Sequence, residues 1–161
     1  MCIRDSDYQA RANIMWAGTM AHNDICGVGR EQDWASHNLE HELSGLYNCA
    51  HGAGLAVIMP AWMDYVMKHD IKRFARYAVN VWGCEKEENP VNTARAGIAA
   101  LRKFWKSLGM PLNFQQLGAR QEDIPLLLKY LQIEGRTEGH FVELKEEDCR
   151  AIYQLAADYP G

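Results

Sequence analysis

Apolar residues recur every three or four positions along most of this chain, and nowhere do they alternate as a half-buried strand requires. From Asp7, the spacing of Ala10, Ile14, Ala17 and Ala21, widened by Met15 and Trp16, predicts a helix that Gly27 and Gly29 end near Cys26. Asp33 or Ser36 is placed to cap a second helix that runs to about Asn48. After a predicted Gly52-Ala53-Gly54 turn, Leu55 to Lys68 is apolar on most sides and reads as a buried helix, kinked or briefly broken at Pro60.

Asp70 opens the next helix, with Phe74, Tyr77, Ala78, Val81 and Trp82 on its apolar face and Gly83 as its stop. Asn89-Pro90 starts another, carrying Ala94, Ile98, Leu101, Phe104, Trp105 and Leu108, and Gly109-Met110-Pro111 ends it. Residues 112–120 read as a connecting loop. Gln121 to Pro125 begins a helix through Leu128 and Leu131 to Gly135. Residues 136–144 form a loop anchored by Phe141 and Val142, and Lys145 to Asp148 lead into a last helix through Ile152 and Leu155. The pattern predicts an all-α bundle of about six or seven helices. Met1 to Ser6 does not share the helical pattern of the residues after it and reads as a non-native leader, with the domain running over 7–161.

Composition narrows the function classes. The 161 residues suffice for one domain with a core, and the formal charge of −4 leaves no basic excess for nucleic acid or an anionic membrane. The longest apolar run, Leu55 to Met63, is too short to span a bilayer, and no signal peptide is visible. Five scattered cysteines without a C-x-x-C spacing read as reduced thiols of a cytoplasmic protein.

The candidate chemistry is concentrated between Trp34 and Gly54, which holds three of the six histidines: His37, His41 and His51. His37 and His41 are four apart, so they share a helix face. An unbroken helix would carry His51 about 21 Å up the axis from His37, too far for one ion. A break near Asn48 would instead let the chain turn His51 back toward His37. Three readings compete. The first is a mononuclear metal site of His37 and His51, with His41 nearby as a supporting or proton-handling group. The second takes His37-Asn-Leu-Glu40-His41 as the H-x-x-E-H zinc-peptidase motif, with Glu40 as general base. The third is a non-catalytic helical module whose histidines are incidental. Gly27-Val28-Gly29 follows no strand and makes no dinucleotide fingerprint, and Ser44-Gly45 is not a nucleophile elbow.

Residues Ala10 to Ala17, Asp33-Trp-Ala-Ser-His37, His41-Glu-Leu43 and His51-Gly-Ala-Gly-Leu-Ala56 resemble the iron-containing (group III) alcohol dehydrogenase family, in its butanol dehydrogenase-like branch. The resemblance extends over residues 7 to 158, through Arg76-Tyr-Ala78, Phe104-Trp105, Leu108-Gly109 and the Asp148 to Tyr153 end. It implies the C-terminal, metal-binding half of a dehydroquinate synthase-like two-domain fold. It implies His37 and His51 as two metal ligands for Fe(2+) or Zn(2+), and His41 as the catalytic and cofactor-binding histidine near the nicotinamide. Glu40 and Glu42 are implied as candidate partners of those ligands. The family's glycine-rich phosphate loop and its other two ligands, an Asp and a His, have no counterpart in this sequence. The resemblance therefore implies an NAD(P)-linked alcohol dehydrogenase or aldehyde reductase acting on primary alcohols such as butanol. NAD(H) or NADP(H) would be held mainly by an N-terminal domain, the full-length protein would be a homodimer, and the present chain would be inactive alone.

Overall fold

The computed structural model describes residues 7–161, so the expected leader lies outside the described residues. Eight α-helices occur in order: α1 (Tyr8–His22), α2 (Ala35–Tyr47), α3 (His51–Val66), α4 (Ile71–Trp82), α5 (Pro90–Ser107), α6 (Phe114–Leu117), α7 (Ile124–Leu131) and α8 (Glu146–Asp158). Seven of these are the helices that periodicity predicts. The eighth, α6, is a single turn inside the expected loop, capped by the Asn113 side chain and closed by Gly118 in a left-handed conformation. Short 3₁₀ turns at Met67–His69 and Gln121–Asp123 complete the set. The only β feature among the described residues is an isolated Glu138–Leu144 bridge.

Several boundaries differ from those read in the sequence. α1 ends at His22, before the glycines, because Asn23 already caps it through bonds to Thr19 O. Its apolar stripe is not core: no residue of α1 is buried. At the start of α2 the capping position is Trp34, and neither Asp33 nor Ser36 fills it. Asp33 instead acts as a clasp. Its Oδ1 accepts from the Ala35 amide at 2.8 Å, while Oδ2 accepts from the amides of His140 and Phe141 at 2.9 and 2.8 Å. The 136–144 loop is thereby fixed to the N-terminal end of the histidine-bearing helix.

α3 begins at His51, so Gly52, Ala53 and Gly54 form its first turn and not a loop. The helix also runs through Pro60 without a break. On α4, Val81 is exposed and only Phe74 and Ala78 are buried. α7 stops at Leu131, four residues before Gly135, because Gln132 takes the left-handed conformation that ends a helix.

α3 is the central element, packed on α2, α5, α6 and α8. Leu39 and Leu43 of α2, Val57 and Ile58 of α3, Leu127 of α7 and Ile152 of α8 are fully removed from solvent. Each such side chain contributes about 1.5–3 kcal/mol of transfer free energy. Tyr153 is also wholly buried, and its hydroxyl donates to Leu39 O at 2.7 Å, so burial leaves no unpaired polar group there. This packing holds α2 and α3 rigidly side by side, and the histidines sit where those two helices meet.

Candidate metal centre

The junction between α2 and α3 is three residues long. Asn48 adopts φ 50°, ψ 37°, a left-handed conformation that an Asn tolerates, and its amide bonds to Ser44 O. Cys49 and Ala50 then reverse the chain, and His51 is the first residue of α3. The reversal brings His51 beside the α2 histidines. Its ring centroid lies 5.4 Å from that of His37 and 5.2 Å from that of His41. The two α2 rings are 6.4 Å apart. Two imidazoles bound to one ion at about 2.1 Å place their ring centroids about 5 Å apart. Both pairs that include His51 fit that separation. The His37–His41 pair, which the peptidase motif requires, is the wider one.

Trp34 packs edge-on against His37, with their ring centroids 5.0 Å apart. His37 is half-buried, and His41 and His51 are exposed. Burial holds the His37 imidazole below the usual histidine value, and the neighbouring His51 and His41 push it further down, while Glu40 opposes them. The ring is therefore neutral at physiological pH, the form in which imidazole ligates a metal. A cluster of three imidazoles next to a buried carboxylate is a donor set that suits a divalent cation.

Glu40 has no exposed surface. One of its carboxylate oxygens meets His51 Nδ1 and the other accepts the Ser44 hydroxyl. One ligand atom each from Glu40, His41 and His51 lies within 4.8 Å of the others. Because both Glu40 oxygens are already engaged, the imidazoles are the better candidates for the ion. Glu42 behaves differently. Burial raises its carboxyl, opposed by His41 and Arg136, and it is Glu40 that bonds His51. His37, His41 and His51 are legible from spacing and a predicted break. Ser44, one turn from Glu40, is legible as a helix neighbour but carries no chemical signal, and Trp34 belongs to the block without a role of its own in the sequence.

The sequence matches the family described as Fe-containing alcohol dehydrogenase, C-terminal, over residues 1–157. It is 35% identical over 153 residues to NADH-dependent butanol dehydrogenase A of Clostridium acetobutylicum, covering 94% of this chain and 39% of that protein. It is 38% identical over 154 residues to an NADPH-dependent aldehyde reductase of Escherichia coli, covering 93% and 39% respectively. Its structure superposes on that of an NADH-dependent butanol dehydrogenase A from Thermotoga maritima with a TM-score of 0.88 and 38% identity, covering 94% of this chain and 40% of that one. The chain thus spans about two fifths of the length of these relatives. It belongs to the Fe-containing alcohol dehydrogenase family and corresponds to the C-terminal part of that family's proteins.

Proposed function

We propose that His37 and His51 are metal ligands of an NAD(P)-linked alcohol dehydrogenase or aldehyde reductase acting on primary alcohols such as butanol. The observation that carries this reading is the convergence of the two rings, from different helices, to a 5.4 Å separation. The names of the relatives, butanol dehydrogenases and an aldehyde reductase, support the substrate class. In this reading a bound Fe(2+) or Zn(2+) acts as a Lewis acid on the alcohol or aldehyde, while NAD(H) or NADP(H) carries the redox equivalents. His37 contributes a lone pair kept available by its neutral state. His51 contributes a second from the start of α3. His41, exposed on the same wall, faces the reacting groups and the nicotinamide, where it orients them and handles a proton. Most of the nucleotide-binding surface, and any further ligands, belong to the part of the relatives' length that this chain does not span. The complete protein would be a cytoplasmic homodimer. No helix among the described residues is long and apolar enough to cross a membrane.

The peptidase reading fits less well, because Glu40 is sealed from solvent and cannot reach a water as a general base. Titration with Co(2+), followed by its visible absorption, tests the metal reading on this chain. Weak binding is expected at neutral pH and should be lost on acidification, as protons compete with the ion for the ligating lone pairs. His37→Ala and His51→Ala should each abolish it, and His41→Ala should weaken it less. Binding by His51→Ala equal to the parent's would remove the proposed centre.

A further inference from the structure

Glu40 is a carboxylate with no exposed surface, and its hydrogen bonds go to His51 and Ser44. Burying such a group is costly unless its acceptors are filled and a cation lies close by. The fold makes room for it at a specific place. A Cβ on Gly54, in the first turn of α3, would stand 2.7 Å from Glu40 Cγ and 2.8 Å from Glu40 Cδ. Only a glycine at this position lets α3 approach the α2 carboxylate so closely. Ser44, one turn along α2, fills the carboxylate's other oxygen. Ser44 on α2 and Gly54 on α3 thus fix one carboxylate against one nitrogen of His51.

That contact determines which nitrogen of His51 is free. A carboxylate offers only acceptors, so the nitrogen that meets it must carry the hydrogen. Nδ1–H is therefore the donor, and Nε2 is left with its lone pair. We infer that Glu40 is a positioning residue: seated by Gly54 and Ser44, it holds His51 in the Nδ1–H tautomer so that Nε2 is the ligating nitrogen. This deepens the proposed function and rests on its reading of His51 as a ligand. A carboxylate behind a ligating histidine fixes the ring's orientation and raises its basicity, and its loss typically lowers metal affinity about 10- to 100-fold.

The test uses the full chain and has two readouts. On metal-free protein at about pH 8.5, where imidazole is neutral, long-range ¹H–¹⁵N NMR correlations of His51 show which nitrogen is protonated. The parent should show Nδ1–H. Glu40→Ala should revert to Nε2–H, the form that free imidazole side chains prefer in water, and should bind Co(2+) about 10- to 100-fold more weakly. Glu40→Gln preserves the buried volume, and its single acceptor oxygen should give an intermediate affinity. A Glu40→Ala chain that keeps His51 as Nδ1–H overturns the inference. If Glu40→Ala does not fold, parent-like Co(2+) affinity in Glu40→Gln overturns it. Co(2+) binding indifferent to His51→Ala would instead strike the metal reading, and the metal-free tautomer comparison would still decide the role of Glu40.

Discussion

Asp123 accepts from two residues that reach it from different directions. The Tyr47 hydroxyl, at the end of α2, donates at 2.6 Å, and the Arg120 guanidinium donates at 2.8 and 3.0 Å. The Tyr47 bond first, then Arg120, hold the Asp123 carboxyl below the usual carboxylate range. A carboxylate whose folded value is depressed stabilises the fold at pH above its unfolded value, and that stabilisation is lost as pH falls through the folded value. Tyr47→Phe should therefore lower the urea midpoint at pH 7, and the gap to the parent should close on acidification below about pH 4. A gap that stays constant down to pH 2 would assign the loss to packing alone. Cys149 offers a second check at this scale. It is wholly buried, and burial first, with Glu138 and Asp148 adding to it, pushes its thiol up to about 12. Iodoacetamide should label exposed Cys26 readily in the native chain and reach Cys149 only on unfolding, as read by mass spectrometry of the peptides. Labelling of both at one rate would contradict the burial. The histidines are legible in the sequence because four-residue spacing on a helix is local information. Gly54 is not, because its purpose is set by a carboxylate fourteen positions earlier that meets it only after α2 and α3 have packed.

At the level of elements, the glycines that shape helices separate into three kinds. Gly83 and Gly118 end helices in the left-handed conformation, and of the two the sequence reads only Gly83 as a stop. Gly54 lies inside a helix because a neighbouring side chain needs the space. Gly97, in the middle of α5, is a site of close helix approach: an added Cβ would stand 2.6 Å from Ala78 Cβ and 2.8 Å from Ala78 Cα on α4. The Cα of Ala78 is backbone and cannot move aside without shifting the helix. Gly97→Ala should cost about 1–3 kcal/mol by overpacking. Gly45 is the contrast. It is exposed within α2, and nothing lies within 4 Å of a Cβ added there. Gly45→Ala should gain about 0.5–1 kcal/mol from helix propensity and the lower entropy of the unfolded chain. Guanidinium unfolding of the two variants should move the midpoint in opposite directions; a shared direction would show that the α4–α5 approach is looser than the structure has it. Pro60 illustrates the same limit on local reading. Its residue type predicts a kink or break, yet α3 continues because packing on α2, α5 and α8 outweighs one missing backbone bond.

Over the described residues, helical class and seven of the eight helices follow from a periodicity present in nearly every segment, and they are readable for that reason. What each apolar face meets is not, since periodicity marks a face without naming its partner. α1 shows this most clearly. Its stripe resembles those of α4 and α5, but none of its fifteen residues is buried, and Ile14, Met15 and Trp16 are 50%, 69% and 66% exposed. α2, α3, α7 and α8, by contrast, share one continuous core. A helix of about 12–15 residues without tertiary support is marginal in water. Among its local aids, the Asp7 side chain accepts from the Ala10 amide at 2.9 Å, the Thr19 hydroxyl donates to Met15 O at 2.9 Å, and Thr19 O holds the Asn23 cap. Backbone opening in α1 should therefore cost about 0–1 kcal/mol, whereas opening in the core helices should approach the global unfolding free energy. Hydrogen–deuterium exchange of the isolated chain, resolved by peptide, measures both. Peptides covering Tyr8–His22 should exchange far ahead of those covering Val57–Ala61 and Ile152–Ala156. Adding denaturant should accelerate the core peptides steeply and the α1 peptides little, because α1 exposes little further surface when it opens. Protection of α1 equal to that of α3, with the same denaturant dependence, would show that α1 unfolds with the core and that its apolar face is covered in solution.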